Sequence, residues 1–223
     1  MIKPIAHIYT DFNSKFGIPR QSGRVKSLLG KIVFLPEFKS EEFTRGIEQF
    51  SHLWVIFDFS KAHKENISPT VRPPRLGGNT RVGVFATRSP FRPNNIGLSS
   101  VKLEKLEKTQ DDGVILWVSG IDILNGTPIY DVKPYIPYTD CHQDAIGGFS
   151  DTEKDHSLRV EFKSDIENIL NEYQKECVIG CISDDPRPSY QDDNREYSMQ
   201  FSQFDIHFTV SDGIATVFKI DKL

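Results

Sequence analysis

Two polar segments of this chain combine directional side chains with turn-forming residues, which makes them the strongest candidates for a chemical site. They are Thr87–Ser99 and Asp122–Tyr135. In the second segment Asp131, Lys133 and Tyr135 alternate, so an extended chain projects all three from one face. A carboxylate, an ammonium and a phenol placed side by side can form an acid–base site. They can equally form a surface ion pair beside an aromatic ring, and the pattern favours neither.

A basic island lies in the middle of a chain that is acidic overall. No aspartate or glutamate occurs in Asn66–Leu103, although the formal net charge is -4. Because proline fixes φ and glycine admits positive φ, the many prolines and glycines here predict a shaped loop. The arginine fork binds phosphate or carboxylate bidentately, so the island indicates an anion site, with a solvated loop of scattered charge as the alternative. Its arginines are Arg72, Arg75, Arg81, Arg88 and Arg92.

The common cofactor and metal motifs are missing from the sequence. It has neither GxGxxG after a strand nor GxxxxGK(S/T), which disfavours Rossmann and P-loop chemistry. The histidines are dispersed, with no HExxH and no paired Cys/His spacing, so we predict no metal site. Cys141, Cys177 and Cys181 form neither an even set nor a CxxC pair, and we expect reduced, mostly buried thiols. A GxSxG elbow is also lacking, which disfavours a serine nucleophile.

Length and composition fit an ordinary globular protein. The chain has 223 residues and 38% hydrophobic content, enough for one large domain or a medium domain with a small one. No run approaches the roughly 20 apolar residues of a membrane span. The N-terminus, with Lys3, Pro4 and His7, lacks the apolar core of a signal peptide. We therefore expect a cytoplasmic protein without a membrane partner.

The hydrophobic pattern predicts strands through most of the first 140 residues. Asp111-Asp112-Gly113 signals a hairpin turn between two of them, and Ser40–Phe50 predicts a short helix. Because regular helices do not separate the strands, a mainly antiparallel barrel or sandwich fits better than βαβ units. The predicted strands are Ile2–Tyr9, Gly30–Leu35, Leu53–Phe59, Val82–Ala86, Leu98–Leu106, Val114–Ile121 and Ile129–Val132.

The chain changes character after Tyr138. Residues 139–157 are polar and irregular, which predicts a linker or a long surface loop. Further strands are expected at Val178–Ile182, Tyr197–Phe208 and Ile214–Ile220. We therefore expect one domain over residues 1–140 and a small α+β domain over residues 158–223.

One amphipathic helix is predicted in the C-terminal part. Its apolar face has the spacing i, i+3, i+4 and i+7. Ser164 is the predicted N-cap, and Glu167 three residues later completes a capping box. The apolar residues are Ile166, Ile169, Leu170 and Tyr173.

Four blocks of sequence together resemble one known family. They are PRQSGRVKS, TVRPPRLGGNTRVGVFATRSPFRPNNIGLSSVKLE, DILNGTPIYDVKPYIPYTD and DDPRPSY. In this order, and spread over nearly the whole chain, they resemble the TrmO family, also called YaeB or VirR-like. One position departs from the family pattern. Asn95 stands where the family typically has proline before Ile-Gly, which predicts a looser turn.

The resemblance implies both a fold and an activity. It implies an S-adenosylmethionine-dependent methyltransferase whose N-terminal domain is an antiparallel β-barrel and whose C-terminal domain aids tRNA binding. The implied substrate is the N6-threonylcarbamoyladenosine beside the anticodon of threonine tRNA, methylated on N6. A homodimer with the cofactor near the subunit interface is implied as well. The implied cofactor contacts are Gln21, Ser22, Gly23, Ala62, His63, Arg88, Leu98, Asp122, Ile123, Leu124 and Asn125.

Such a reaction also suggests roles for other polar residues. The N6 lone pair is delocalised in a urea-like linkage, so the N6 proton must leave, and a general base contributes typically about 10²–10⁴-fold. Asp131 is the first candidate, with Lys133 and Tyr135 orienting the base and the threonyl carboxylate, and Asn94 completes the catalytic set. Arginine forks hold anticodon-loop phosphates and bases. The substrate-binding candidates are Arg72, Arg75, Arg81, Arg92 and Arg187.

Two other functions stay open at the level of sequence. A barrel with the same cofactor loops could methylate a small molecule or another RNA, which substrate tests would reveal. A noncatalytic RNA-binding module could use the basic island alone. Such a module would show no thermal shift with S-adenosylhomocysteine.

Overall fold

The computed structural model describes residues 2–151, 156–164, 166, 168–188 and 195–223, and this part of the chain is mainly β. The α-helices are α1 (Pro137–Asp140) and α2 (Glu172–Ser183). The strands are β1 (Ala6–Thr10), β2 (Leu29–Phe34), β3 (His52–Asp58), β4 (Thr70–Val71), β5 (Val82–Gly83), β6 (Ile96–Thr109), β7 (Gly113–Ser119), β8 (Thr127–Pro134), β9 (Arg159–Phe162), β10 (Tyr197–Phe201), β11 (Phe204–Ser211) and β12 (Ile214–Lys222).

Six of these strands close into an antiparallel barrel. Their order is β1-β2-β7-β6-β3-β8, and β8 pairs back onto β1. Alternate residues of each strand point inward, so Ile8 faces Ile32 across one pair and Leu53 faces Val101 across another. All four side chains are buried. The barrel implied by the family resemblance is therefore confirmed.

Each barrel strand overlaps a strand that the sequence predicts, and the differences occur in the connections. The strand expected at Val82–Ala86 stops at Gly83, where β5 pairs with β4, and a 3-10 helix covers Val84–Ala86. The helix expected at Ser40–Phe50 is two 3-10 turns. Gly46, at φ 87°, separates them, because its left-handed backbone cannot continue a right-handed helix.

The predicted Asp111-Asp112-Gly113 hairpin turn is confirmed and joins β6 to β7. Gly113 has φ 68°, and a Cβ there would lie 2.6 Å from the Lys39 carbonyl oxygen. Glycine is therefore required by both backbone conformation and space.

The C-terminal part is a four-stranded sheet with one helix, as the expected α+β unit requires. The sheet order is β10-β11-β12-β9, and β9 pairs parallel to β12. The sequence pattern predicts a single strand over Tyr197–Phe208. Instead a tight turn with Ser202 at φ 53° splits it into β10 and β11.

The predicted start of the C-terminal helix is wrong. The structure places turns at Ser164 and Ile166, and α2 begins only at Glu172. The Asn171 side chain accepts from the Gln174 backbone N–H at 2.9 Å, and the Gln174 side chain accepts from the Asn171 N–H at 3.1 Å. This reciprocal capping box fixes the helix start.

Two further predictions change with the position of this helix. The strand expected at Val178–Ile182 is instead the second half of α2. Glu167, the predicted partner of Ser164, lies outside the described residues.

The barrel and the C-terminal sheet share one apolar core. Phe12 meets Phe201 edge to face with ring centroids 5.4 Å apart, and the Tyr173 hydroxyl donates to Asp11 at 2.9 Å. The ideal Cβ position at Gly17 is 2.2 Å from the Met199 sulfur. The segment after β1 therefore packs tightly against the C-terminal sheet.

The structure also shows the state of the cysteines and bears on metal sites and membrane-spanning helices. All three cysteines are free thiols, with Cys177 and Cys181 buried and Cys141 exposed. The described residues contain no group of three or more His, Cys, Asp or Glu side chains that could hold a metal ion. Within the same residues, no helix is long and apolar enough to cross a membrane.

Candidate active site

A cleft of about 770 Å³ opens at one end of the barrel. Clefts of roughly 300–1,000 Å³ are typical of small-molecule and cofactor sites. The cleft lies where β3 ends and β6 begins, since Asp58 pairs with Ile96. Its walls come from segments 15–21, 57–62, 85–99 and 122–127. Both polar segments singled out in the sequence therefore contribute to it.

Asp122 is a largely desolvated ionisable group in the cleft. Burial raises its pKa to about 6, against the opposing effects of hydrogen bonds from Ser99 and from the Ser22 backbone and of the charge on Arg88. The Ser99 hydroxyl donates to the Asp122 carboxylate at 2.6 Å. Asp122 is thus a hydrogen-bond acceptor in a fixed position, with a pKa raised by burial to about 6.

Arg88 supplies positive charge at the mouth of the cleft. Its guanidinium donates to the Gln21 side-chain oxygen at 2.5 Å, which joins the two predicted cofactor residues directly. Arg92 also lines the cleft and donates to the Thr87 carbonyl at 3.0 Å. Arg20 lines the cleft as well, so three guanidinium groups surround the place of an anionic ligand.

Asn95 braces the arginine loop, contrary to the looser turn predicted from its departure from proline. Its side-chain amide donates to the Pro90 carbonyl at 2.7 Å and to the Ala62 carbonyl at 3.3 Å. These bonds hold the loop to itself and to the segment after β3.

The remaining wall of the cleft is apolar. Phe57 and Phe59 meet edge to face with centroids 5.1 Å apart, and Ile123 and Leu98 line the same cleft. Leu98 is 54% exposed, which is unusual for a large apolar side chain on a barrel strand. Gly97 leaves room for the Phe57 ring, because a Cβ there would lie 2.3 Å from it. Such a wall suits the flat face of a purine.

Most of the predicted cofactor residues meet in this cleft. Of the remaining four, Ser22 donates its backbone N–H to Asp122, and Gly23 bonds the backbone of Gly120 at 2.8 Å. His63 points at Asp58 at 2.8 Å, and Asn125 accepts from the Thr10 N–H at 3.0 Å. The residues that line the cleft are Gln21, Ala62, Arg88, Leu98, Asp122, Ile123 and Leu124.

The predicted catalytic residues divide between two places. Asn94 lines the cleft. Asp131 and Lys133 form an ion pair at 2.8 Å on the outer surface of the barrel, and Tyr135 packs against Trp54 with centroids 5.4 Å apart. None of these three lines the cleft. The shared face that their alternation predicts is confirmed for Asp131 and Lys133.

The Asp131 surface is nevertheless close to the cleft. Ile56 of β3 pairs with Leu98 on one side and with Asp131 on the other. Neighbouring strands are roughly 4.8 Å apart, so Asp131 lies about 10 Å from Leu98 across the sheet.

The arginines expected to bind RNA occupy different environments. Arg72 and Arg81 lie exposed on the loop, where Arg81 donates to the Thr70 hydroxyl at 2.8 Å. Arg187 is buried and bonds Asp185 at 2.8 Å. This ion pair places Arg187 inside the C-terminal unit, so the prediction that it contacts RNA conflicts with its position. The Arg75 side chain lies outside the described atoms.

Several cleft residues were not anticipated from the sequence. Lys15 and Lys61 line the cleft, and the Lys15 ammonium donates to the Lys61 carbonyl at 2.8 Å. Asp58, Phe57 and Phe59 belong to a strand whose pattern indicates only core. The lone Lys15 shortly before the PRQSG turn is a weak signal that could have suggested the first of these.

Comparisons with known proteins find similarity over nearly the whole chain. A tRNA (adenine(37)-N6)-methyltransferase of Escherichia coli (strain K12) is 36% identical over 97% of this chain and 96% of its own length. RcsF of Pseudomonas aeruginosa, provisionally described as an S-adenosylmethionine-dependent methyltransferase, is 39% identical over 93% of this chain and 91% of its own. The crystal structure of TrmO from the same genus and species superimposes with a TM-score of 0.80 at 33% identity, over 100% of this chain and 97% of that one.

The closed antiparallel barrel with a cofactor-sized cleft at its rim defines a class distinct from Rossmann-type proteins. Models of the tRNA-methyltransferase O N-terminal domain and of the TrmO C-terminal domain match residues 7–141 and 155–223. The chain belongs to the TrmO family. Its division into domains 1–140 and 158–223 stays a prediction.

Proposed function

We propose that this chain is a cytoplasmic, S-adenosylmethionine-dependent enzyme that methylates N6 of adenine 37 in tRNA. More narrowly, we propose that the adenine carries a threonylcarbamoyl group and that the substrate is a threonine tRNA. The single observation that carries the proposal is the 770 Å³ cleft at the barrel rim. The cleft brings together residues from four segments that are far apart in the sequence. The family models match both the N-terminal and the C-terminal part of the chain.

The residues of the cleft fit S-adenosylmethionine. The cofactor has an adenine, a ribose with two hydroxyls, a sulfonium and an amino-acid end. The apolar wall of Phe57, Leu98 and Ile123 would take the adenine, and Arg88 would bind the carboxylate bidentately. Asp122 would accept from a ribose hydroxyl, which is the chemistry its fixed, desolvated carboxylate favours.

When bound, the cofactor supplies an activated methyl group. The work of the protein is to align the nucleophilic nitrogen with that group and to exclude water. Asn94, in the cleft wall, would orient the base edge of the substrate adenine in the tRNA. The loop that carries Asn94 is braced by Asn95, so its position is set before the substrate binds.

We propose that Asp131, Lys133 and Tyr135 complete the site from a second copy of the chain. They face outward from their own barrel, so a homodimer would bring them over the cleft of the partner. Asp131 would take the N6 proton, while the Lys133 ammonium, 2.8 Å away, holds its carboxylate in place. Tyr135 would orient the threonyl carboxylate.

The tRNA would lie over the basic island. Arg72 and Arg81 are exposed there, and Arg92 reaches the cleft. Arg75 remains a candidate from the sequence. Phosphate contacts of this kind position an RNA without reading its sequence, so selection of the target adenine would depend on the cleft.

Mass spectrometry of tRNA nucleosides from cells with and without this protein tests the proposal. We expect the methylated form of threonylcarbamoyladenosine to be lost from threonine tRNA and its unmethylated form to accumulate. The purified protein should restore the methyl group to that tRNA when S-adenosylmethionine is added. An unchanged nucleoside profile, with no methylation of tRNA in vitro, would overturn it.

A further inference from the structure

A second cavity of about 370 Å³ lies on the other side of segment 15–20 from the active-site cleft. Lys15, Ile18 and Arg20 line both cavities, so a single stretch of chain separates them. The far walls come from the end of α2, from the proline-rich segment that follows it and from Pro74 of the basic island. Barrel and C-terminal unit build this cavity together.

The cavity is held in shape by contacts between its two sides. The Arg20 guanidinium donates to the carbonyl oxygens of Arg187 at 2.6 Å and of Asp185 at 3.4 Å. Phe16 stacks on Tyr197 with centroids 6.2 Å apart and ring planes within 5°. A ligand would therefore enter a preformed cavity, and little conformational entropy of the protein would be lost on binding.

The lining combines apolar surface with the cations Lys15 and Arg20, and its one carboxylate, Asp184, pairs with Arg24. This combination fits the apolar face of a ring with an attached anion. Phe16, Pro74 and Pro186 give apolar surface, and proline adds no donor that would be left unpaired. Lys15 stands at the wall shared with the active-site cleft. Its ammonium contacts the Lys61 carbonyl, and it pairs with no carboxylate in the described part of the chain. An unstacked nucleobase with its phosphate has this combination of properties.

We propose that this cavity binds the nucleobase adjacent to the target adenine, with Lys15 on the phosphate between the two. The inference rests on the proposed function. An adenine that enters the cleft must leave the stack of the anticodon loop, so its neighbour loses a stacking partner. The shared wall puts a second ring site one chain segment from the first. The C-terminal unit would thus recognise the tRNA by holding one base.

The test uses three anticodon stem-loop RNAs, each threonylcarbamoylated on the target adenine. One is complete, and the other two lack the base immediately before or immediately after that adenine. Affinity for the intact protein is measured by fluorescence anisotropy with S-adenosylhomocysteine present. We expect one of the two abasic RNAs to bind about tenfold more weakly than the complete RNA, and the other to bind like it.

A variant that fills the cavity tests whether the weaker binding of the abasic RNA arises there. Pro74 is exposed, and the indole of Pro74→Trp would occupy the cavity, so this variant should bind the complete and the abasic RNA equally. Pro69→Trp, in the same loop but outside both cavities, should keep the tenfold difference. Thermal shift with S-adenosylhomocysteine confirms that each variant is folded.

Equal binding of all three RNAs to the intact protein would overturn the inference, whether or not Pro74→Trp folds. A difference that persists in folded Pro74→Trp would overturn it too. Methylation of the complete RNA, measured in parallel, tests the proposed function separately. Normal methylation with equal binding would reject only the second base site.

Discussion

At the scale of single residues, the cleft contains a guanidinium, Arg88, and a carboxylate, Asp122, each of which is hydrogen-bonded to a neutral side chain. Arg88 lowers the pKa of Asp122 only as a minor effect, and its guanidinium bonds the neutral side chain of Gln21 instead. Asp122 in turn is held by the Ser99 hydroxyl. Both groups therefore keep bonding capacity for a ligand that has an anionic end and a hydroxyl-bearing ring.

The first prediction concerns Arg88. Arg88→Ala should weaken S-adenosylmethionine binding by about 1.5–3 kcal/mol, because the variant cannot form the charged hydrogen bond to the carboxylate. Arg45→Ala is a matched control, since Arg45 pairs with Glu42 on the surface outside the cleft. Isothermal titration calorimetry measures both. Unchanged affinity in Arg88→Ala would remove Arg88 from the cofactor site.

The second prediction concerns the pH dependence of stability. Burial raises the pKa of Asp122 from 3.8 to about 6. The folded protein therefore keeps a proton that the unfolded chain releases, and the stability that this proton contributes is lost as the pH rises from about 4 to about 6. Asp122→Asn has no such proton. Relative to the parent, its free energy of unfolding should rise by about 3 kcal/mol over that interval and stay level above it.

Urea denaturation at several pH values measures this difference. A difference that does not change between pH 4 and pH 6 would mean that the Asp122 carboxyl keeps its ordinary pKa in the folded protein. The apolar wall around it would then admit water.

At the scale of elements, periodicity predicts the strands well and the C-terminal helix poorly. Barrel strands such as Leu53–Phe59 are short apolar runs of strand length, and the pairing of β3 with β6 and β8 confirms this one. For the helix, Ile166, Ile169 and Leu170 do have helical spacing. The capping box of Asn171 and Gln174 nevertheless starts the helix only at Glu172. The apolar residues before it lie in turns and bends.

The third prediction tests that cap. Asn171→Ala should destabilise the protein by about 1 kcal/mol, because the Gln174 N–H loses its acceptor. Asn66→Ala, in an exposed loop, is the control and should be neutral. Denaturant unfolding compares the two variants. Equal stability of Asn171→Ala and the parent would show that tertiary packing alone sets the start of α2.

The sequence pattern also predicts only part of the candidate site. Alternation of Asp131 and Lys133 correctly predicts that they lie on one face, because that depends only on the geometry of one strand. Whether that face meets the cleft depends on strand order and on assembly, which no local pattern contains. The ion pair of Arg187 with Asp185 is local, but the burial of Arg187 depends on tertiary packing, since the distant Arg20 bonds its carbonyl oxygen.

At the scale of the whole molecule, the basic island should act through long-range charge. Arg72→Ala combined with Arg75→Ala should weaken tRNA binding and leave cofactor affinity unchanged. The plot of log affinity against log salt should become shallower by about 0.7 for each phosphate that the variant no longer neutralises. A double alanine variant of Lys105 and Lys108, on the β6–β7 hairpin, is the control. Equal slopes for the island variant and the parent would indicate a structural role for these arginines.

The last prediction concerns assembly, since the proposed active site needs two subunits. Asp131→Asn preserves the size of the side chain but cannot take up a proton, so its single-turnover methylation should be much slower while both ligands still bind. A rate within a few-fold of the parent would eliminate Asp131 as the base, and the protein would then contribute alignment alone. Arg88→Ala should fail for the different reason that the cofactor binds weakly.

Mixing the two defective proteins decides where Asp131 acts. If it completes the partner's cleft, a mixed dimer has one site with both native residues and one site with neither. Random exchange should then restore about a quarter of the parental activity. If Asp131 serves its own cleft, every site in a mixed dimer carries one defect and activity stays low. Sedimentation velocity must show a dimer under the same conditions, and a monomer that is fully active would exclude a shared site.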